Sequence, residues 1–237
     1  MEALQNSVVK NVPATIFYIP NFVSAEEEKQ LLEQVYQAPR PKWTQLRNRR
    51  LQNWGGLPHP KGMVPEKIPE WLSIYCQKIG GLGVFDGKIP NHILVNEYLA
   101  GQGIMPHLDG PLYYPTVSTI TLGSHALLNF YQPLDEQSDN AQAEAEGGDQ
   151  CISDFKSRLL CSLLLEPRSL VLVRDDMYKK YLHGIDEVTE DSLSENVANI
   201  DMTDSKIDDV LKRDTRVSLT IRVVPKVLKA KLLLGHK

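Results

Sequence analysis

From residue 92 to residue 224 the chain is a series of short apolar segments rich in β-branched residues and separated by turn residues. Such a pattern, without long helical segments in between, favours two packed antiparallel sheets over a parallel α/β sheet. We therefore predict a mainly β fold with some α-helix, a double-stranded β-helix or jelly roll. The predicted strands lie near residues 92–98, 116–122, 126–131, 160–165, 169–174, 180–184 and 215–224.

The first 88 residues have a different pattern and predict an N-terminal extension with a helical layer. Ser24 and Glu27 have the spacing of a capping box, which indicates that a helix begins there. A second helix is expected over about residues 65–78. Between the two helices, residues 40–62 contain tryptophan, arginine, glycine and proline, and they predict a long irregular or hairpin segment that could cover a substrate.

A length of 237 residues suits a single domain, residues 1–237, with its β-rich core at residues 89–225. Two acidic segments interrupt that core: residues 132–158 carry seven acids and two bases, and residues 186–214 carry ten acids and three bases. We expect both to be mobile surface insertions. The rest of the chain, including a basic tail at 226–237, is net positive although the whole chain carries −4. That framework could bind a polyanion, or the acids could simply solvate loops.

Cysteine usage and the N-terminal sequence indicate an intracellular protein. The three cysteines include no C-x-x-C pair, which argues against a disulfide framework or a zinc ribbon. The first twenty residues have no signal-peptide pattern, and no segment approaches the roughly 18 apolar residues of a membrane-spanning helix. We expect a monomer in the cytoplasm and nucleus, with no membrane association and with unknown protein partners.

A metal site is suggested by His107 and Asp109, which are two residues apart. On an extended backbone both side chains point to the same face, so one metal ion could bind both. His183, at the end of an apolar segment, is the best third ligand, because two imidazoles and one carboxylate leave coordination positions open for substrate and oxygen. The alternative is that His107 and Asp109 belong to an exposed turn, since Gly110 follows.

Two predicted strands also place polar side chains on one face. Asn96 and Tyr98 share a face at the end of the strand that begins near residue 92, where they could equally be a partnered polar pair in the core. In the last predicted strand every odd position is apolar and every even position is polar, so its polar face must meet either solvent or a ligand cavity. The even positions are Arg216, Ser218, Thr220 and Arg222.

Taken in chain order, the pairs Asn96-x-Tyr98 and His107-x-Asp109, a distant His183 and the spacing of two late arginines resemble the AlkB family of Fe(II)- and 2-oxoglutarate-dependent dioxygenases. Residues 49–56, 103–107 and 216–222 look like the branch formed by the sixth AlkB homologue of animals and plants. The resemblance spans about residues 15–230 and is interrupted by the two acidic segments.

The resemblance implies a set of cofactors and residue roles. The cofactors are Fe(II), 2-oxoglutarate as cosubstrate, and molecular oxygen. The founding member of the family has asparagine where this chain has Ser218, which alters the hydrogen bonding expected there. The implied iron ligands are His107, Asp109 and His183, and the implied cosubstrate residues are Asn96, Tyr98, Arg216, Ser218 and Arg222, the last beside the iron carboxylate and the substrate.

The resemblance also implies oxidative demethylation of N-alkylated RNA or DNA. Positive and aromatic residues of segment 40–62 could contact phosphates and stack on an extruded base. Two alternatives stay open: a dioxygenase of a protein side chain, and a nucleic-acid-binding module with little catalysis. The tryptophans could also pack in the core while the lysines keep the surface soluble. The candidate substrate residues are Arg49, Arg50, Trp54 and Lys61.

Overall fold

The computed structural model describes residues 2–133 and 157–228. Within these residues there are three α-helices: α1 Ala25–Gln37, α2 Glu70–Gly80 and α3 Asp175–Lys179. The strands are β1 Ile16–Ile19, β2 Trp43–Gln45, β3 Arg50–Trp54, β4 His92–Tyr98, β5 Ile104–His107, β6 Thr116–Leu122, β7 Ala126–Tyr131, β8 Leu159–Leu165, β9 Leu170–Arg174, β10 Leu182–Ile185, β11 Glu190–Ser192, β12 Val210–Lys212 and β13 Arg216–Arg222. Short 3-10 helices lie at Glu2–Ser7, Arg40–Lys42 and Ile200–Met202.

The strands form two main antiparallel sheets, as the sequence predicts. The large sheet has seven strands in the order β1-β9-β6-β13-β4-β3-β2, and the small sheet has four in the order β5-β10-β7-β8. Apolar side chains from β1, β6 and β9 of the large sheet and from β7 and β8 of the small sheet share one buried cluster, which fills part of the space between the sheets. The jelly-roll prediction is confirmed.

Strand β13 lies inside the large sheet, hydrogen-bonded to β6 on one side and to β4 on the other. All seven of its residues are buried, so the alternative of a solvent-facing edge strand is wrong. Its odd-numbered apolar side chains, including Leu219, pack in a cluster with the helices. Its even-numbered polar side chains face the opposite way, into a cavity between the sheets.

Helices α1 and α2 pack on the outer face of the large sheet, where Val35 and Leu72 join the apolar side chains of β4 and β13. Helix α1 begins after Ser24, and both hydrogen bonds of the predicted capping box are present. Helix α2 begins at Glu70, later than expected. A helix that began near residue 65 would carry Pro69 in its interior, where proline lacks the N–H that the helix needs. Pro69 is instead the N-cap residue.

The acidic segment 186–214, which we expected to be a mobile surface insertion, contains regular structure. Strands β11 and β12 pair within it, and Leu193 and Val197 are buried against Leu164 of β8. The other acidic segment, 132–158, falls mostly outside the described residues, as does most of the basic tail at 226–237. Among the described helices there is none long and apolar enough to cross a membrane.

Candidate metal and cosubstrate site

The three predicted metal ligands meet at one end of the small sheet. His107 ends β5, Asp109 follows two residues later, and His183 lies in β10, directly opposite His107 in the antiparallel pairing. The two imidazole rings are 4.5 Å apart between centroids. One ligand atom from each of the three residues lies within 4.8 Å of the other two. The distance is small enough for one cation to contact all three.

Gly184 allows this close approach of β5 and β10. A Cβ atom at this position would lie 2.9 Å from the carbonyl oxygen of Ile104 and 2.9 Å from the nitrogen of Pro106. Any other residue here would push the two strands apart. The glycine therefore contributes directly to the distance between the two histidine ligands.

The carboxylate of Asp109 has one oxygen bound and one oxygen free. Oδ1 accepts a hydrogen bond of 2.7 Å from Nη2 of Arg222, while Oδ2 is buried and has no hydrogen-bond partner within the described chain. Burial raises the pKa of Asp109, but the charge and hydrogen bond of Arg222 together with the two nearby imidazoles outweigh it, and the pKa is lowered. A buried, ionised oxygen without a partner is costly unless a cation binds it, so Asp109 fits a metal ligand.

The two imidazoles are in a form that can bind a metal. Nδ1 of His107 lies 2.8 Å from the carbonyl oxygen of Met105, and a proton on Nδ1 makes that bond and leaves the lone pair on Nε2. Burial lowers the pKa of His183 to about 4, so its ring is neutral at neutral pH. Two neutral imidazoles and one carboxylate suit iron(II) and leave positions open for further ligands.

The metal ligands line a cavity of about 250 Å³ between the two sheets. The large sheet contributes the polar faces of β4 and β13, which the register places side by side, with Ser218 opposite Asn96 and Arg216 opposite Tyr98. All five predicted cosubstrate residues therefore line the same cavity as the ligands: Asn96, Tyr98, Arg216, Ser218 and Arg222.

Arg216 is a buried cation whose hydrogen bonds are mostly unmade. Its Nη2 donates to Oγ1 of Thr121 at 3.0 Å, and its Nε has no partner among residues 2–133 and 157–228. Burial lowers the pKa of Arg216 to about 10, although the ring of Tyr98 lies 5.7 Å away and offsets part of the cost. The buried Oδ1 of Asn96 likewise lacks a partner in the described residues. This wall of the cavity fits a carboxylate of the cosubstrate.

Arg222 connects the metal ligands to the outer part of the cavity. Besides its bond to Asp109, its guanidinium lies 4.6 Å from the ring centroid of Tyr113. Tyr113 in turn packs against His92, with 5.7 Å between the ring centroids. The structure therefore places Arg222 beside the carboxylate of Asp109, the predicted metal ligand, as the resemblance implied.

The four candidate substrate residues do not lie in one place in the structure. Arg49, in the loop between β2 and β3, lines the cavity. Arg50 forms two hydrogen bonds with the carboxylate of Glu97, its partner in the β3–β4 register. Trp54 packs edge-on against Trp71. Lys61 is exposed. Arg50, Trp54 and Lys61 lie outside the cavity, so only a ligand that extends beyond it could contact them, and their substrate role stays a prediction.

Three residues in or beside the cavity were missed in the sequence: Tyr113 and Tyr178 line it, and Thr121 accepts a hydrogen bond from Arg216. Thr121 of β6 lies opposite Ser218 in the β6–β13 register, so the alternation of β6 could have revealed it. Tyr113 follows Asp109 by four residues and carried no periodic signal. Tyr178 in α3 donates its hydroxyl hydrogen bond to the carbonyl oxygen of Gly110 at 3.1 Å, which ties α3 to the turn after the ligand pair. No local pattern indicated that contact.

Comparison with known proteins supports the same chemistry. The sequence profile of the 2OG-Fe(II) oxygenase superfamily matches residues 43–222. A Danio rerio protein named "Probable RNA/DNA demethylase ALKBH6" is 56% identical over 234 residues, which cover 99% of this chain and 96% of that protein. An uncharacterized protein of Acanthamoeba polyphaga mimivirus, L905, is 27% identical over 88% of this chain and 84% of its own length.

Solved structures show the same fold at low identity. The structure of OsALKBH1 aligns with a TM-score of 0.53 and 13% identity, covering 87% of this chain and 97% of the other. At that identity the likeness concerns the fold alone. The profile match over most of the sequence and the high identity to the Danio rerio protein go further, and they show that this chain belongs to the 2OG-Fe(II) oxygenase superfamily and, within it, to the AlkB family.

Proposed function

We propose that this protein is an Fe(II)- and 2-oxoglutarate-dependent dioxygenase that removes N-methyl groups from nucleic acid. The observation that carries the proposal is the convergence of His107, Asp109, His183 and the unsatisfied Arg216 on one cavity. A metal site alone would fit many activities, whereas a metal site with a buried cation across the same cavity fits a dianionic 2-oxo acid that contacts both.

The residues of the chain have distinct tasks in this reaction. When bound, iron(II) supplies the activation of oxygen, with 2-oxoglutarate as the electron donor. His107, Asp109 and His183 would hold the metal, and Arg222 keeps Asp109 ionised and oriented. Arg216 would form a two-pronged contact with the far carboxylate of the cosubstrate. The cavity between the two sheets, with the buried side chains of Arg216, Ser218 and Arg222 on one wall, would limit the water that reaches the reacting groups.

The overall reaction is balanced with these components alone. An N-methyl group, oxygen and 2-oxoglutarate give the N–H product, formaldehyde, succinate and carbon dioxide. The N-methyl carbon loses two electrons, the 2-oxo acid loses two, and oxygen accepts all four. No further reductant is needed for this stoichiometry.

Two observations favour nucleic acid as the substrate. The relative at 56% identity is named as an RNA/DNA demethylase. In addition, the β2–β3 loop at the cavity carries two arginines, Arg49 lining the cavity and Arg47 exposed to solvent. Cationic side chains beside a reactive cavity are suited to hold a phosphate backbone while a base enters.

The proposal can be tested by measuring succinate and formaldehyde with methylated single-stranded oligonucleotides, with unmethylated oligonucleotides and without nucleic acid. We expect formaldehyde only with the methylated strands and none from Asp109→Ala. We expect an affinity that falls steeply with salt and that falls further in Arg47→Ala. Lys29→Ala is the matched control, because Lys29 is exposed on α1, on the other face of the large sheet.

Other outcomes would refute parts of the proposal. Formaldehyde from a methylated peptide, but from no oligonucleotide, would identify a protein dioxygenase instead. Oligonucleotide binding without succinate formation from the iron-loaded wild type would indicate a binding module. Equal losses of affinity in Arg47→Ala and Lys29→Ala would show that the β2–β3 loop has no special part in binding.

A further inference from the structure

Charge is unevenly distributed among the residues that line the cavity. The described lining residues include three guanidinium groups, Arg49, Arg216 and Arg222, and a single carboxylate, that of Asp109. Iron(II) and dianionic 2-oxoglutarate would cancel each other, and Asp109 cancels Arg222, to which it is bonded. The assembled site would therefore keep the positive charges of Arg216 and Arg49. Of these, Arg216 is the one that would contact the cosubstrate.

Arg49 is the cation that remains for the substrate. Its Nε is buried without a hydrogen-bond partner in the described part of the chain. Its charge acts on the cavity: burial raises the pKa of Tyr98, and the positive charges of Arg216 and Arg49 oppose that rise. The Arg49 side chain therefore carries an unused donor and an electrostatic influence on the cavity.

The backbone around Arg49 is held in place. The carbonyl oxygen of Arg49 accepts a hydrogen bond of 2.9 Å from the backbone N–H of Leu46 and another from Nε2 of Gln45. The neighbouring Asn48 donates its side-chain amide to the carboxylate of Glu187, beyond the end of β10. This contact connects the loop of the large sheet to the chain that leaves the small sheet. A donor whose backbone is anchored at this place can select among substrates.

The aromatic residues of the cavity offer little to a cationic ligand. Proteins that bind cationic groups surround them with the faces of aromatic rings. Here the guanidinium of Arg222 already lies 4.6 Å from the centroid of the Tyr113 ring, which also packs against His92. The ring of Tyr98 likewise lies 5.7 Å from the guanidinium of Arg216. A positively charged base would meet like charges without an aromatic cage in the described lining.

We infer that the cavity selects methylated bases that are neutral and carry the O6 or O4 carbonyl oxygen beside the methylated nitrogen, such as N1-methylguanine and N3-methyluracil, and that Arg49 is a specificity-determining residue. The guanidinium can donate to a carbonyl oxygen beside the methylated nitrogen, as arginine does to the O6 and N7 atoms of guanine. N1-methyladenine and N3-methylcytosine are cationic near neutral pH and carry an amino group where N1-methylguanine and N3-methyluracil carry the O6 or O4 oxygen. In the cavity, the positive charge of such a base would repel the guanidinium of Arg49, and its amino group would face another hydrogen-bond donor. Such repulsive contacts reject a ligand more strongly than a missing contact does.

This inference rests on the proposed function, and a substitution series separates the two. The substrates are four single-stranded oligonucleotides that differ in one base: N1-methylguanine, N3-methyluracil, N1-methyladenine or N3-methylcytosine. For the wild type we expect kcat/KM to be at least about tenfold higher for the two neutral bases, as repulsion or one lost charged hydrogen bond would give. Binding is measured in parallel by anisotropy with Mn(II) and 2-oxoglutarate, where no turnover occurs.

Arg49→Glu should shift the ratio of the two classes towards the cationic bases, and Arg49→Gln should reduce the preference without reversing it. Arg47→Glu is the matched control: it makes the same change of charge two residues away at an exposed position. Arg47→Glu should weaken binding of all four strands alike and leave the ratio unchanged. Thermal unfolding and Mn(II) binding check that each variant is folded.

Several results would overturn the inference. Equal rates on both classes, or a wild-type preference for the cationic bases, would refute the selectivity while demethylation of nucleic acid stands. Equal shifts of the ratio in Arg49→Glu and Arg47→Glu would mean that the selectivity depends on the overall charge near the cavity, and would refute the specific role of Arg49. The absence of both turnover and binding with all four strands would refute the proposed function, and the inference with it.

Discussion

Arg216→Met should stabilise the ligand-free protein while it abolishes cosubstrate binding. Burial lowers the pKa of Arg216 to about 10, from an ordinary value of 12.5. Each pKa unit corresponds to ~1.4 kcal/mol, so the buried charge costs the ligand-free fold about 3 kcal/mol. The substitution loses the hydrogen bond to Thr121, which contributes ~1 kcal/mol, and some attraction to the Tyr98 ring. We therefore expect a net gain of about 1–2 kcal/mol in the free energy of unfolding.

The same substitution at Arg213 is the matched control. Arg213 is also buried, but its guanidinium makes two hydrogen bonds of 2.6 Å to the carboxylate of Asp191 and one of 2.7 Å to the carbonyl oxygen of Asp186. Arg213→Met leaves Asp191 buried with His125, 3.2 Å away, as its remaining side-chain partner, which costs about 3–5 kcal/mol. Two buried arginines three residues apart should thus respond with opposite signs, because one is paired and the other is not.

Both effects can be measured at neutral pH. Urea denaturation of the ligand-free variants gives the unfolding free energies, and calorimetric titration with 2-oxoglutarate in the presence of Mn(II) gives the cosubstrate affinity. Two lost charged hydrogen bonds at about 1.5–3 kcal/mol each predict a rise in Kd of more than about 100-fold for Arg216→Met. Arg216→Lys should raise the Kd of the cosubstrate by about tenfold and leave Mn(II) affinity unchanged, since one point charge replaces a fork.

Two results would refute this reasoning. A loss of stability in Arg216→Met as large as that in Arg213→Met would mean that Arg216 is satisfied within the ligand-free protein. A cosubstrate affinity equal to that of the wild type would mean that the carboxylate binds elsewhere. Equal effects of Arg216→Lys on cosubstrate and metal would also contradict the position of Arg216 at the far end of the cosubstrate.

Two further predictions concern packing and pH. Gly184→Ala places a Cβ atom 2.9 Å from backbone atoms of β5, so it should lower both stability and Mn(II) affinity. Gly81→Ala is the control: its Cβ atom has its nearest contact at 3.4 Å, so it should lower neither. Equal Tm values and equal Mn(II) titrations for the two variants would contradict this prediction. Burial raises the pKa of Asp191, but bonded partners outweigh it and lower the pKa. The stabilisation is therefore complete above the unfolded value of about 3.9 and is lost as the pH falls through the lower folded value. Urea midpoints measured between pH 7 and pH 3 should decline steeply for the wild type and less steeply for Asp191→Asn. Glu195→Gln, at an exposed position, is the control and should follow the wild type. Parallel curves for all three proteins would refute the role of Asp191.

The sequence predicted those parts of the site that depend on local periodicity. The alternation of residues 216–222 follows from the two-residue repeat of a strand, and it separates the cavity face from the core face. The capping box of α1 is equally local, because both of its hydrogen bonds join residues three apart. The order of the polar pairs along the chain then sufficed to recognise the family.

What the sequence did not predict depends on contacts between distant segments. Strand β5 contains Pro106, which argues against a strand, and it forms because β10 pairs with it. The segment that contains the paired strands β11 and β12 looked like an acidic loop, since nothing local shows that Arg213 neutralises Asp191. The pairing of β3 with β4 places Arg50 opposite Glu97, outside the cavity, while Arg49 in the preceding loop lines it. That division is set by register rather than by residue type.

The most direct test of the central claim is an anaerobic titration of the protein with Fe(II) in the presence of 2-oxoglutarate, followed by the visible absorption of the iron-bound 2-oxo acid. The wild type should bind one equivalent and develop the absorption. Asp109→Ala, which keeps only two neutral ligands, should lose it. Stoichiometric binding with unchanged absorption in Asp109→Ala would contradict the assignment of His107, Asp109 and His183 as the metal site.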